Sequence, residues 1–349
     1  MPKTSLRATK TRSPDHLENI TPQFLGPFLT RILGTDADDN LCVVTSRRHR
    51  KKLQPLRVHD LEEFVNERLP LKVWLRFWEP TSISWWLAVL FMIGSALFTF
   101  GAALAIFPSF MSPWWHQPIV NNSVFFVGSI FFTTAGATQY LEVINSELTD
   151  LANARTPDAR TRRGIRWFAW RPRNLGYLAS LIQLIGTILF NFNTGDALIS
   201  NLTAREENLL IWTPNMIGSL CFLISTWCSY LEVGHRYLCF KPKDFAFWIV
   251  AINGFGSIAF QISAVASYYV QDGTVIWTTG SNWGTFLGGL GFLLASYLLI
   301  PELFEKEGEI ARMKRRTGLR SEQPALKNGG QTEEDQKTHG VGDHRQEDR

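Results

Sequence analysis

Long apolar runs alternate with short polar connections between residues 80 and 304, whereas residues 1–79 and 305–349 are mainly polar and charged. A helix rises about 1.5 Å per residue, so roughly 20 apolar residues cross a hydrocarbon core of about 30 Å. The runs of that length are predicted as transmembrane helices at Ser84–Phe107, Ser123–Val143, Gly176–Asn193, Pro214–Val233, Phe245–Tyr269 and Trp283–Ile300. We therefore expect an all-α polytopic membrane protein with a six-helix domain over residues 80–304.

Each predicted helix contains the same short sequence motif, in which a glycine is followed four positions later by a phenylalanine, and we call this motif the recurring word. In the first helix of each pair this glycine lies 14 positions after a proline, and in the second helix a glutamate lies 14 positions after the glycine. Recurrence at fixed spacing is typical of internal duplication. The sequence predicts three parallel two-helix repeats, over residues 80–146, 170–234 and 240–304.

The glycines of these words are candidates for helix packing, because small residues allow two helix backbones to approach in a bilayer. We favour this role over ligand contact. The spacing predicts that the two glycines of each helix pair meet at the same depth. They are Gly94, Gly128, Gly186, Gly218, Gly256 and Gly288.

The distribution of lysine and arginine predicts the orientation, because positive residues are retained on the cytoplasmic side of a membrane. The second and fourth connections hold ten of these residues, whereas the first, third and fifth together hold only Arg205. Both termini, residues 1–79 and 305–349, are therefore expected in the cytoplasm. The type of membrane does not follow from the sequence.

Glu142, Glu232 and Glu302 occupy equivalent positions at the ends of the second helices. Charged residues within membrane spans are costly and often functional. At the cytoplasmic interface, however, a carboxylate can remain hydrated or ion-paired, and we favour that structural role, with Arg166, Arg236 or Lys306 as partners. A ring that binds cations or protons is the alternative.

The amino-terminal segment, residues 1–79, contains two stretches with apolar residues at helical spacing, Leu25–Leu33 and Leu61–Leu69, which predict amphipathic helices. Between them lies a basic cluster that either binds anionic lipid or forms a solvated loop. Its cations are Arg47, Arg48, Arg50, Lys51 and Lys52. The tail, residues 305–349, begins with basic residues and then lacks apolar periodicity, so we expect it to be disordered.

Composition adds little to this picture, since 45% hydrophobic content and a mean hydropathy of -0.03 resemble those of a soluble protein. No phosphate loop, nucleophile elbow or His-Glu-x-x-His motif is present, and the four cysteines form no metal-type pair. We expect no cofactor, no metal and no nucleic-acid partner. An enzyme is the least favoured class.

The paired Gly-Ser-x-x-Phe words resemble those of the YrhK-like domain, an uncharacterised membrane hairpin in which this word recurs on both helices. The resemblance covers residues 80–304, with Thr187 and Gly289 in place of the serine. It implies a fold of membrane hairpins and carries no reaction or ligand.

Two functional hypotheses follow. The favoured one is a non-enzymatic helical bundle that has a structural role or interacts with lipid or a partner. The alternative is a transporter or channel for a small solute or an ion, with a pathway on a pseudo-three-fold axis. Convergence of the glutamates and the intramembrane amides on one internal face, or a water-sized central cavity, would favour the second hypothesis.

Overall fold

The computed structural model describes residues 17–36, 38–51, 55–57, 77–107, 109, 111–146, 165–242, 244–270 and 273–304. The predicted helix at Leu61–Leu69, the residues Lys52 and Lys306, and the tail at 305–349 lie outside these ranges.

The six predicted membrane helices are confirmed, although the second helix of each hairpin begins five to ten residues earlier than predicted. They are α2 Ile83–Ile106, α3 Pro118–Asn145, α4 Leu175–Asp196, α5 Ala204–Gly234, α6 Phe245–Ala266 and α7 Thr278–Leu303. A short helix, α1, precedes them at Ser46–Arg50. Helix α4 continues through Asn191 and Asn193 because both amides are bonded: Asn191 donates to Thr133 Oγ1 at 2.9 Å and Asn193 to the carbonyl of Ile211 at 3.0 Å.

Each membrane helix packs against the next one in the chain, and α7 packs against α2, so the six helices form a closed ring. Helices α2 and α3, α4 and α5, and α6 and α7 make three consecutive hairpins. We call the end of the ring that carries Glu142, Glu232 and Glu302 the glutamate end. The short connections within the hairpins lie at the opposite end.

The outer faces of these helices are apolar, as expected of an integral membrane protein. Each helix exposes aliphatic side chains, for example Ile93, Ile130, Ile188, Ile224, Ile262 and Leu294. Exposed aromatic residues precede the first helix of each hairpin: Trp78, Trp170 and Phe240. Such residues prefer the interface between a bilayer and water, so these three mark one membrane boundary.

Within each hairpin the two glycines of the recurring words lie against each other. A Cβ atom placed on Gly94 would lie 3.0 Å from the carbonyl oxygen of Gly128. The same distance is 2.9 Å from Gly186 to Gly218 and 3.0 Å from Gly256 to Gly288. The hydroxyls that follow the glycines are buried and bond to their own helix, as Ser95 does to the carbonyl of Phe91 at 2.7 Å. The helices therefore touch backbone to backbone.

The phenylalanines of the recurring words fill the centre of the ring. We call this set the phenylalanine layer: Phe98, Phe132, Phe190, Phe222, Phe260 and Phe292. The three rings from the first helices form a nearly equilateral triangle with centroids 5.7–5.9 Å apart. Each also contacts the ring from its own hairpin partner at 4.9–5.2 Å. These spacings are those of close aromatic packing, so the axis is closed at this depth.

The prediction of an amphipathic helix at Leu25–Leu33 is wrong. The region forms an antiparallel sheet of β1 Glu18–Leu25, β2 Phe28–Thr35, β3 Leu41–Thr45 and β4 Leu56–Arg57, in that order. Gly26 has φ +57 and Pro27 follows it, which gives a two-residue turn between β1 and β2. Proline also disfavours a helix interior, so Gly26-Pro27 was a signal for a hairpin. Ile32 and Val44 lie in the small core of this sheet.

The glycine contacts can be tested on α4 with Gly186→Ala. The added methyl group would meet the backbone of Gly218 and the ring of Phe222, both 2.9 Å away. Overpacking costs about 1–3 kcal/mol, which exceeds the gain of about 1 kcal/mol in helix propensity. We expect a lower melting temperature in detergent. The control is Gly195→Ala on the same helix, where the nearest atom, 3.3 Å away, belongs to the side chain of Phe126. A Gly186→Ala melt equal to that of the control would contradict the close packing.

Candidate functional site

The glutamate end is occupied by a basic segment, which we define as Thr45–Lys51. Strand β3 ends at Thr45, whose side chain accepts a hydrogen bond from the backbone of Arg48 and so begins α1. Serine and threonine at this position satisfy free amides at a helix start. The sheet thereby holds α1 against the ends of the membrane helices.

Two of the three glutamates are paired with cations of the basic segment. Arg47 binds Glu302 with two hydrogen bonds, of 2.7 and 2.9 Å, and Lys51 also contacts this carboxylate. Arg50 binds Glu232 with two hydrogen bonds, of 2.7 and 3.1 Å. Such two-point guanidinium–carboxylate pairs are among the stronger hydrogen bonds in proteins.

Further contacts complete this arrangement. Ser46 donates to Glu232, and Ser84, at the start of α2, donates to Glu142. The ring of His49 lies 2.9 Å from the carbonyl oxygen of Ser146, directly after α3. The basic segment therefore contacts the ends of α3, α5 and α7, the three helices that carry the glutamates.

Gly176, in the first turn of α4, makes room for one of these pairs. A Cβ atom placed there would overlap the guanidinium of Arg50 and lie 2.9 Å from Glu232 Oε1. Measured from the glycine of the recurring word, Gly176 occupies the position that Ser84 occupies in α2. Thus α2 supplies a hydroxyl to its glutamate, whereas α4 leaves space for an arginine.

The pairs are nearly excluded from solvent. Glu232 and Glu302 are each 3% exposed. Burial lowers the pKa of Lys51 to about 8, although Glu302 opposes the shift. Burial also disfavours the charge on Arg47, but Glu302 outweighs it and the pKa of Arg47 is raised. Arg47 and Lys51 are therefore mainly charged at neutral pH.

The expected partners of the glutamates were cations of the loops and tail. The structure instead pairs them with Arg47, Arg50 and Lys51. The sequence had predicted that this basic cluster binds lipid or forms a solvated loop, and neither arrangement would bring it to the glutamates. The intramembrane amides do not join the glutamates: Gln183 bonds Ser225 and Asn253 bonds Thr226, each on the neighbouring helix. They hold neighbouring helices together.

A polar cavity of about 240 Å³ lies at the opposite end. We use this name for the space lined by Asn121, Asn122, Asn193, Asn215 and Asn282, by several hydroxyls, and by the first-helix phenylalanines Phe98, Phe190 and Phe260. The phenylalanine layer therefore separates the polar cavity from the glutamate end. Nothing in the sequence patterns had pointed to this cavity, since its asparagines lie on different helices.

No protein-family model, curated protein or solved structure matches this chain. The resemblance to YrhK-like hairpins stays a prediction that depends on the recurring words. In the described residues, no group of three or more histidine, cysteine, aspartate or glutamate side chains could hold a metal ion.

Docking of the basic segment can be tested by trypsin, which cleaves after lysine and arginine. Cleavage after residues 47–51 requires the segment to leave the glutamates. Removing one partner of a buried ion pair costs about 3–5 kcal/mol, so Glu232→Gln and Glu302→Gln should each speed this cleavage at least about tenfold. Mass spectrometry would follow each site, with cleavage after the exposed Arg173 as internal reference.

The control variant is Glu206→Gln, which removes a carboxylate at the opposite end of the ring. It should leave cleavage of the basic segment unchanged. Equal cleavage in wild type and in both glutamate variants would mean that the segment is not held by these pairs.

His235, directly after α5, gives a pH-dependent prediction. Burial lowers its pKa to about 4, and Lys241 and Arg31 add to the shift while Glu232 opposes it. The unfolded chain binds a proton near pH 6.5, so stability from neutral His235 is lost as pH falls from about 6.5 to about 4. The variant His235→Asn tolerates the positive φ of 53 and lacks this titration. Its melting temperature should fall less than that of wild type in this range, and parallel curves would contradict the assignment.

Proposed function

We propose that this integral membrane protein is a non-enzymatic gated passage for a small solute, closed in the present conformation at two levels. The basic segment closes the glutamate end, and the phenylalanine layer closes the centre. This is the transport hypothesis of the sequence analysis. The observation that carries it is the pairing of buried membrane-helix carboxylates with a separate segment of the chain.

The energetics of these pairs support a gating role over a purely structural one. Desolvating two charges costs several kcal/mol per ion, and well-packed apolar residues would often stabilise such a site equally well or better. The ring is already held together by its glycine contacts and its phenylalanine layer. Ion pairs at this end therefore suit a contact that forms and breaks.

The features that discriminate between the hypotheses support a passage only in part. Glu232 and Glu302 bind the same segment of the chain, whereas Glu142 bonds Ser84 and the amides bond neighbouring helices. The phenylalanine layer occupies the place of a central cavity, and a cavity large enough for water lies on the opposite side of this layer.

We further propose that the three hairpins are internal repeats around a pseudo-three-fold axis. The near-equal sides of the phenylalanine triangle and the three similar glycine contacts support this arrangement. The excess of lysine and arginine in the connections at the glutamate end supports its assignment to the cytoplasm. In this orientation both termini are cytoplasmic, and the basic segment acts from inside the cell.

The second candidate is the structural or partner-binding bundle. Close packing of six phenylalanines on the axis favours it, since a permanently packed centre conducts nothing. Lipid binding by the basic cluster belongs to this candidate and requires Arg47, Arg50 and Lys51 to leave their carboxylates.

Permeability of proteoliposomes tests the passage. Light scattering would measure uptake of small neutral solutes, and ion-sensitive dyes would measure uptake of small cations. The triple variant Arg47→Gln, Arg50→Gln, Lys51→Gln removes the cations that tie the ends of α5 and α7 to one segment. Both helices carry a ring of the phenylalanine layer, so in this proposal the layer opens when these ends separate. We expect permeability at least about tenfold above wild type. Gly176→Ala should act in the same direction, because its methyl group would overlap the guanidinium of Arg50 and crowd Glu232 Oε1, and so separate this pair.

The matched control removes three other basic residues near the same end, in Arg171→Gln, Arg173→Gln, Arg236→Gln. It should behave like wild type. If the triple variant is no more permeable than this control, the passage is rejected and the structural bundle remains. If Glu232→Gln and Glu302→Gln match the triple variant, the glutamates act by binding the basic segment.

A further inference from the structure

We infer that the polar cavity binds a small uncharged molecule that carries both hydrogen-bond donors and acceptors, such as a polyol or an amide. This names the solute class of the proposed passage and rests on that proposal for its role. The binding itself is argued from the cavity alone.

The first argument is the set of unpartnered polar atoms around the cavity. Oδ1 of Asn121 and Nε1 of Trp212 are buried and have no hydrogen-bond partner in the described part of the chain. Both residues line the cavity. A buried polar group without a partner is costly, so native proteins usually satisfy it with water or a ligand. A molecule that carries both a donor and an acceptor would satisfy these two atoms.

The second argument is charge. None of the described residues that line the cavity is ionisable. Burying a charged ligand without a counter-charge is strongly unfavourable, and this selects an uncharged one. The rings of Phe98, Phe190 and Phe260 offer apolar contact on one side. A volume of about 240 Å³ lies below the range of about 300–1,000 Å³ that is usual for drug-sized ligands, so the molecule has to be small.

The third argument is a local departure from regular structure at the cavity wall. Helix α5 contains a π turn at Asn208–Trp212, and such turns are frequent at functional sites. Six positions before the glycine of the word, α3 and α7 carry Asn122 and Asn282, whereas α5 carries Trp212. The recurring pattern is thus broken where the unpartnered donor lies.

Neighbouring contacts hold this wall in place. Asn193 donates to the carbonyl of Ile211 at 3.0 Å, within the π turn, and Thr213 donates to the carbonyl of Asn208 at 2.7 Å. The hydroxyl of Ser263 bonds the carbonyl of Ser281 at 2.8 Å. These groups satisfy one another, in contrast to Oδ1 of Asn121 and Nε1 of Trp212.

The test is ligand-observed saturation-transfer NMR on the full chain in nanodiscs. The uncharged probes are glycerol, acetamide and urea, and the charged probes are methylammonium and acetate. We expect saturable binding of an uncharged probe and none of the charged probes. Trp212→Phe keeps an aromatic ring but removes the donor, and Asn121→Leu keeps the size but removes the acceptor. Each should weaken binding about threefold or more.

Trp283→Phe is the matched control, because Trp283 lies on α7 at the same end and is not among the cavity residues. It should bind like wild type. Unchanged melting temperatures would show that all variants fold. The inference is overturned if no uncharged probe shows saturable binding, because the cavity then holds only water. It is also overturned if the charged probes bind equally well, or if both variants bind like the control.

This experiment separates the two proposals. Equilibrium binding does not require transport, so binding without any permeability in the proteoliposome assay would reject the passage and keep the site. Permeability without saturable binding would keep the passage and reject the binding site.

Discussion

The close contact between helix backbones at the paired glycines is the constraint on which the rest of the structure depends. In a bilayer, helices gain little from apolar burial alone and associate through packing and short polar contacts. A side chain at Gly94, Gly186 or Gly256 would separate the two helices of its hairpin. With those pairs in contact, the phenylalanine four positions after each glycine lies on the axis. The glycines therefore determine both the hairpins and the closed centre.

Because the centre is filled with aromatic rings, the polar groups that a solute on the axis would meet lie at the two ends of the ring. At one end the polar cavity contains amides and hydroxyls and is lined by no ionisable residue in the described ranges. At the other end carboxylates and guanidinium groups are paired. In the proposed passage, a solute would meet uncharged hydrogen-bonding groups at one end, an apolar layer at the centre and ion pairs at the other end.

The sequence predicted the features that depend on local or repeated pattern. Helix number and most helix ends followed from apolar length, and the pairing of glycines followed from equal spacing on either side of them. The meeting of the phenylalanines across all three hairpins was not predicted, because it depends on how the hairpins are arranged. The site was less predictable, because Arg47 and Glu302 are 255 positions apart and no periodicity links them. The small sheet was missed because its apolar residues also fit a helical spacing, although Gly26-Pro27 signalled the turn.

The basic segment depends on features outside the membrane helices, and this bears on how it could be released. Its cations are presented by a helix of only five residues that is held by Thr45 and by the strand before it. An isolated helix this short is unstable, so α1 keeps its shape only while the sheet and the carboxylates hold it. Loss of either contact would free the arginines together, which makes release cooperative. A sheet that presents a short charged helix to buried carboxylates is thus suited to the release that the proposed passage requires, whereas the glycine contacts hold the hairpins by backbone packing.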